Sequence, residues 1–431
     1  MVVVMDNDYP EALQIEVTNR CNFNCQICIR RVWNAELRDL NLDLYKKIAK
    51  SMFQHLKRLI LYGFGEPLLN PNFIKILKIA RENLPKDSEI IVSTNGSMLN
   101  SNLSEKIVNI GVNNISFSIE TTDAIKLRRI REGSEPTTIL NNFRHIARIK
   151  RLRGNSFKLG IEAVIMRSNF NDLPNLIEEA AGEDVDYLLV SHLVPYTENM
   201  FHESVYVTMS GKSLEIIKPV LNYGRKIILD AFYETEIYHA GVKSRVSRII
   251  DELWAKAEKS GYSINLPLLF ESIDKITMGK EVERSFNLSR KKAREYDIDL
   301  KLPNLYPDAK DRMCPYVEKK TAFVRSDGML TPCLEFAYKH PVYINMHIKN
   351  VNPIIFGDLR NEDITTVWRK EKYVVFREVR RRISDNISWC GDCPYSTFKC
   401  FFTETNYMDC YMNEPGCSEC LYSVNLAQCN I

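Results

Sequence analysis

Along residues 13–192 two rhythms of apolar residues take turns. Leu13-Gln14-Ile15-Glu16-Val17-Thr18 alternates with period two, as a short strand does. Leu44, Ile48, Met52 and Leu56 then recur at helical spacing, with Tyr45, Ala49 and Phe53 beside them. Arg58–Tyr62 is an apolar run of strand length, and a helix over Phe73–Leu84 follows Pro71-Asn72. The rhythm continues with a strand over Glu89–Ser93, a helix near Ser104–Asn109 and a strand over Asn114–Glu120. Helices between Ala124 and Arg153 precede a strand over Lys158–Met166, a helix over Asp172–Ala181 and a strand over Asp186–His192. Strands that alternate with helices predict a parallel sheet with crossover helices. Six such units predict an α/β fold, a partial TIM-like (β/α)6 barrel with its chemistry at the carboxyl ends of the strands.

Beyond residue 200 the pattern changes. Val246, Ile249, Ile250 and Leu253 cluster on a predicted helix over Ser244–Ser260, and Tyr262–Leu266 alternates like a strand. Lys280–Tyr296 is charged enough to be expected as a solvated helix or linker. From residue 311 onward, Asp327-Gly328 between two alternating runs predicts a hairpin that delivers Cys333. A helix is expected from Asp363 to Arg382. The chain is therefore expected in three parts: a barrel over 1–200, a helical middle region over 201–310 and a cysteine-rich domain over 311–431.

Composition narrows the classes. Of 431 residues 45% are apolar, enough for a full core, and the net charge of +3 gives no pull toward nucleic acid or membrane. Met1–Met5 is too short for a signal peptide, and no apolar run spans a bilayer. A soluble, cytoplasmic protein with no nucleic-acid or membrane partner is expected.

The twelve cysteines carry the chemistry. Cys21, Cys25 and Cys28 sit in a C-x3-C-x2-C run on the loop leaving the first strand, and the other nine all fall in the last 118 residues. Two separated groups suggest metal binding rather than disulfides. Three thiolates on one loop suit a four-iron cluster and leave one iron open. Structural zinc is the competing reading, but it takes four ligands and favours paired CxxC knuckles. In the tail, Cys390/Cys393 and Cys417/Cys420 would serve such a ribbon, so the thiols of Cys314, Cys333, Cys390, Cys393, Cys400, Cys410, Cys417, Cys420 and Cys429 are metal-ligand candidates under either reading. Gly63-Phe64-Gly65-Glu66-Pro67 follows the second strand, where two glycines let the backbone approach a ligand and Glu66 can accept from an ammonium. Thr94 and Asn95 end the third strand with hydroxyl and amide groups.

The cysteine run, with the Gly-x-Gly-Glu-Pro turn after it, resembles the radical S-adenosylmethionine (radical SAM) enzymes. Ile27 stands where that family usually has an aromatic residue. The resemblance implies a [4Fe-4S] cluster on Cys21, Cys25 and Cys28 whose open iron binds S-adenosylmethionine (SAM) and splits it to a 5′-deoxyadenosyl radical. It also implies SAM contacts at Gly65, Glu66, Thr94, Asn95, Ser118, Glu120, Arg131 and Met166. The tail, with Cys314, Gly328-x4-Cys333, Cys390-x2-Cys393 and the later cysteines, resembles the SPASM domain, which implies one or two auxiliary [4Fe-4S] clusters. Cys314-Pro315-Tyr316-Val317, Phe356-Gly357-Asp358-Leu359 and Cys417-Ser418-Glu419-Cys420-Leu421-Tyr422 look like the maturases of tungsten-cofactor aldehyde oxidoreductases. The partners so implied are SAM, a tungsten oxidoreductase or its cofactor or a peptide, and an electron donor such as ferredoxin. A thioether-forming or sulfatase-type peptide maturase, and a non-catalytic metal-binding scaffold, are the rival expectations.

Overall fold

A computed structural model describes residues 9–234, 243–398 and 400–431, so the opening Met1–Met5 run lies outside the described residues. Strands β1 (Ala12–Ile15), β2 (Arg58–Ile60), β3 (Glu89–Thr94), β4 (Asn114–Ser118), β5 (Lys158–Ile165) and β6 (Tyr187–His192) lie side by side in chain order, each parallel to the next. Their apolar residues are buried almost throughout, as in a parallel sheet covered on both faces. The crossover helices are α1 (Leu42–Met52), α2 (Phe73–Asn83), α3 (Ser101–Ile110), the pair α4 (Ala124–Ile130) and α5 (Pro136–Leu152), and α6 (Leu173–Ala181). Local chemistry sets their ends. The Asn41 side chain accepts from the Asp43 and Leu44 amides at the start of α1, and Gly111 closes α3 in the left-handed region, φ +95°.

The sheet extends past the six expected strands on both edges. β7 (Asp299–Lys301) pairs in parallel with β6. On the other edge β8 (Thr321–Val324) pairs in parallel with β1, from Ala12 opposite Thr321 to Ile15 opposite Val324. β9 (Met329–Thr331) folds back on β8 through the Asp327-Gly328 turn, with Gly328 at φ +87°. The hairpin of β10 (His340–Ile344) and β11 (His347–Val351) stands apart, and β12 (Gly357–Asp358) closes the ten-stranded order β12-β9-β8-β1-β2-β3-β4-β5-β6-β7. The hairpin that carries Cys333 is thus hydrogen-bonded to the strand that feeds Cys21.

The middle region differs from its sequence reading. Tyr262–Leu266 forms no strand; Asn265 caps a helix over Leu266–Glu271 by accepting from the Leu268 amide at 3.1 Å, with Pro267 in the first turn. The charged stretch belongs to a 23-residue helix over Ile273–Glu295 that buries Val282, Phe286, Ser289 and Ala293. With Lys275, Gly279 and Ser285 they form a narrow buried face in which only Val282, Phe286 and Ala293 are apolar side chains, so the charges around it hide its burial. The expected helix over 363–382 breaks at Lys370 into Ile364–Trp368 and Glu371–Arg381. No helix among the described residues is long and apolar enough to cross a membrane.

Candidate functional site

The cysteine loop is strapped to the end of α4 and the residues just after it. The Asn24 amide donates to the Glu132 carbonyl and the Gln26 amide to that of Ile130, each at 2.8 Å. Buried Phe23 and Ile29 anchor the loop. The Cys21 sulfur faces the Phe23 amide at 3.4 Å and the Asn95 side-chain amide at 3.8 Å, and the Arg131 guanidinium reaches the Cys25 sulfur at 3.9 Å. Burial pushes all three thiols up, Cys25 to about 12, with Arg131 pulling that one back. Cys21 also raises Cys25 and Cys28, and Cys28 raises Cys25, as like charges do. Buried thiols faced by N–H donors are the surroundings in which metal-bound thiolates are held. Among the described residues no three His, Cys, Asp or Glu side chains close on a single ion. In a four-iron cube each thiolate grips its own iron, so it requires no such closure.

The Gly-x-Gly-Glu-Pro turn lies directly on this loop. A Cβ at Gly65 would stand 2.2 Å from the Thr18 carbonyl oxygen, so only glycine permits the approach. The Glu66 amide donates to the Arg20 carbonyl at 2.8 Å across the same gap. Glu66 is buried, and its carboxylate accepts from the Thr94 hydroxyl at 2.7 Å, the Asn95 amide at 2.7 Å and the Leu68 amide at 3.1 Å. Burial pushes its carboxyl up and these donors pull it back. Gly65, Glu66, Thr94, Asn95 and Cys21 therefore meet in one place.

Glu120 and Arg131 meet in another. Arg131 donates to Glu120 through Nε at 2.7 Å and through a terminal nitrogen at 2.5 Å, a bidentate and buried pair. Ser118 ends β4 half-buried, and among the described residues no hydrogen bond ties it to either network. The Met166 amide donates to the Asn169 side chain at 2.7 Å, and Met166 packs with Ile130 and Leu193 into an apolar wall that Ile27 joins. His192 faces away from the mouth: its ring packs near Tyr206 and Phe286, and Nε2 lies 2.9 Å from the Asn304 carbonyl.

The nine tail thiols fall into two sets. Cys314, Cys333, Cys417, Cys420 and Cys429 line one apolar cavity of about 60 Å³. Cys390, Cys393, Cys400 and Cys410 form the second set, each within electrostatic reach of another member, and Cys410 is exposed. Buried cations stand among them. The Arg380 Nε lies 3.2 Å from the Cys417 sulfur, Arg312 donates to the Cys417 carbonyl at 3.0 Å, and Lys349 pairs with buried Glu419 at 3.2 Å. Such cations offset negative charge held on thiolates. Sequence reasoning passed over Arg312, Lys349, Arg380 and Glu419, because a lone charged residue has no periodicity; nearness of Arg312 to Cys314 and of Glu419 to Cys420 were the available signals. It also passed over Glu16. That buried carboxylate accepts from the Phe64 amide at 3.0 Å, the Ser326 amide at 3.3 Å and the Tyr338 hydroxyl, tying β1 to the tail.

Comparison with known proteins identifies two domains in the chain. The radical SAM superfamily profile matches residues 15–180, and the SPASM profile, an iron-sulfur cluster-binding domain, matches residues 314–394. The chain is 26% identical over 425 residues to the tungsten-containing aldehyde ferredoxin oxidoreductase cofactor-modifying protein of Pyrococcus furiosus, covering 97% of each chain. It is 28% identical over 173 residues to a probable GTP 3′,8-cyclase of Methanocaldococcus jannaschii, 39% of this chain and 54% of that one. In fold it is similar to Streptococcus suis SuiB bound to its precursor peptide SuiA, with a TM-score of 0.51 at 12% identity over 95% of this chain and 72% of the other. The cofactors are a [4Fe-4S] cluster that binds SAM and the auxiliary iron–sulfur clusters of the tail. With a radical SAM domain over the barrel and a SPASM domain in the cysteine-rich tail, the chain belongs to the radical SAM enzymes that carry a SPASM domain.

Proposed function

We propose that the protein modifies the cofactor of a tungsten-dependent aldehyde oxidoreductase, or a peptide associated with such an enzyme. One observation carries this reading: the similarity to the Pyrococcus furiosus protein runs over 97% of both chains, so it takes in the tail and the middle region as well as the barrel. A shared barrel alone would say nothing of the substrate.

In this reading residues 1–200 generate the radical, 311–431 hold the auxiliary centres and, within 201–310, the segment from Ile273 to Lys301 covers the edge of the barrel. Cys21, Cys25 and Cys28 hold the SAM-binding cluster. When bound, that cluster supplies the electron that releases a 5′-deoxyadenosyl radical from SAM. Glu66 accepts from the SAM ammonium; a carboxylate offers about four lone-pair sites, and three are taken by Thr94, Asn95 and Leu68. Gly65 keeps that carboxylate close to the cysteine loop. Arg131, oriented by Glu120, directs positive charge toward Cys25 and the SAM carboxylate, while Asn95 and Ser118 face the ribose and Met166 the adenine. The five-thiol cavity and the Cys390 set would each hold one auxiliary cluster, which would supply an electron acceptor or a substrate-binding iron. A donor such as ferredoxin supplies the reducing electron, and the protein works in the cytoplasm.

The test has two parts. Oxygen-free protein given reductant and SAM should form 5′-deoxyadenosine, and deletion of its gene should leave the host's tungsten oxidoreductase deficient in activity. A fully active tungsten enzyme in the deletion strain would overturn the assignment of the target.

A further inference from the structure

Two guanidiniums are buried beside the five-thiol cavity without a carboxylate to match them. Arg312 is 7% exposed and Arg380 2%. Arg380 lies on the helix over Glu371–Arg381; its Nε faces the Cys417 sulfur at 3.2 Å, and its terminal nitrogens donate to the Phe376 carbonyl at 3.1 Å and to that of Pro415. Arg312 donates to the Cys417 carbonyl at 3.0 Å, to those of Ile387 and Ser388 at 2.7 and 3.1 Å, and to the Ser423 hydroxyl at 3.3 Å. Among the described residues no carboxylate stands within ion-pair distance of either. A guanidinium keeps its charge at any working pH, and burying one unpaired is costly, so the balancing charge must come from the thiolates. Of the charges that act on Arg312, those of Cys420, Cys417 and Cys390 come ahead of Asp409. Arg380 acts on Cys417 and Cys314. Arg312 thus reaches both thiol sets, and Arg380 the first. The sets share a wall, because the Cys390 amide donates at 3.0 Å to the carbonyl of Ser418, between Cys417 and Cys420. The third buried cation, Lys349, adds little net charge there, since Glu419 matches it at 3.2 Å.

We propose that Arg380 and Arg312 are charge partners of the auxiliary cluster in the five-thiol cavity and make it easier to reduce, Arg380 acting on that cluster alone and Arg312 on both auxiliary clusters at once. The inference rests on the reading that each thiol set holds a cluster. An added electron puts one more negative charge on a thiolate-bound cluster, and a fixed cation beside it stabilises that state, with little screening in a buried cavity. The cavity also offers five thiols for four irons, so thiolates alone can ligate every iron and none need stay open to a substrate. Both features suit this centre to accepting an electron. Arg312 couples the two centres, since an electron on either one draws on the same cation.

Redox titration of reconstituted, oxygen-free protein, followed by electron paramagnetic resonance, tests this. Added SAM identifies the signal of the cluster on Cys21, Cys25 and Cys28, and Cys393→Ala identifies that of the second set. Arg380→Gln keeps an N–H donor and loses the charge. At the wild-type midpoint it should lower the reduced-to-oxidised ratio of the five-thiol cluster at least about tenfold, a shift of about 59 mV for one electron, and leave the other cluster within about twofold. Arg312→Gln should lower both ratios, and the lysine variant at each position should restore most of the loss. An unmoved midpoint in Arg380→Gln, equal shifts of both clusters in that variant, or an Arg312→Gln shift confined to one cluster would each overturn the inference. Where a glutamine variant sheds about four irons per chain instead, retention by the lysine variant supports the inference and loss in both overturns it. Wild-type protein that carries iron only on Cys21, Cys25 and Cys28 fails the reading on which the inference rests; wild-type protein with both auxiliary clusters, and variants whose potentials stay put, fails the inference alone.

Discussion

Replacing Gly65 with alanine tests how the two motifs at the barrel mouth are joined. The added Cβ would lie 2.2 Å from the Thr18 carbonyl oxygen, 2.6 Å from that of Arg20 and 2.8 Å from the Asn19 carbonyl carbon. All three atoms are backbone of the segment that delivers Cys21, so no side chain can swing away. Ordinary contact begins near 3.4 Å, and the two segments would have to part by roughly 1 Å. The 2.8 Å bond from the Glu66 amide to the Arg20 carbonyl crosses that gap and would break. Overpacking of about 1–3 kcal/mol and a lost hydrogen bond of about 1 kcal/mol give a destabilisation of about 2–4 kcal/mol. That is a large share of a typical total of about 5–15 kcal/mol. Gly182→Ala is the control, since its Cβ would meet only the Glu179 carbonyl at 3.5 Å and its φ of −63° suits any residue. It should be neutral or stabilising by about 0.4–1 kcal/mol. Urea unfolding of both variants and anaerobic iron analysis are the assays. Gly65→Ala should unfold at lower urea and retain less iron; a midpoint and iron content equal to those of Gly182→Ala would refute the close-approach argument.

Further outcomes follow from the same geometry. Glu66→Gln sets an amide NH2 against the Thr94, Asn95 or Leu68 donors, and should cost about 1–3 kcal/mol in urea unfolding and weaken SAM binding; an unchanged SAM affinity would remove Glu66 from the site. Cys390→Ala and Cys400→Ala should each lose the same cluster, about four irons per chain, and the double variant no more than either; additive losses would break the grouping of the thiols. His192, pushed down to about 3 by burial, stays neutral in the folded chain while the unfolded chain takes up a proton below about 6.5. Stability should therefore be complete above that value and fall by about 2 kcal/mol from pH 7 to pH 5, continuing toward pH 3. His192→Gln, which keeps a donor for the Asn304 carbonyl, should flatten that part of the urea-midpoint profile, and an unflattened profile would count against it.

By itself the sequence determined the parallel barrel, the cysteine loop and the Gly-x-Gly-Glu-Pro turn. Each is local: apolar rhythm selects strand or helix over a few residues, and the three thiols lie within eight positions of one another. The hairpin that delivers Cys333 was legible for the same reason, since Asp327-Gly328 supplies the turn. Only the tertiary structure decided that this hairpin continues the barrel sheet, because the pairing of Ile15 with Val324 joins residues far apart in the chain and leaves no trace in either segment. The sorting of nine tail thiols into two sets is of that kind, as spacing groups cysteines by loop whereas ligation groups them by cavity. The helix over Ile273–Glu295 shows the limit from the other side: a narrow buried face with few apolar side chains is outvoted by its charged flanks until a neighbouring surface is there to cover it. The carboxylates and cations of the site obey the same logic. Whether Arg380 or Lys349 finds a partner depends on what folding brings opposite it, and no neighbour in sequence carries that information.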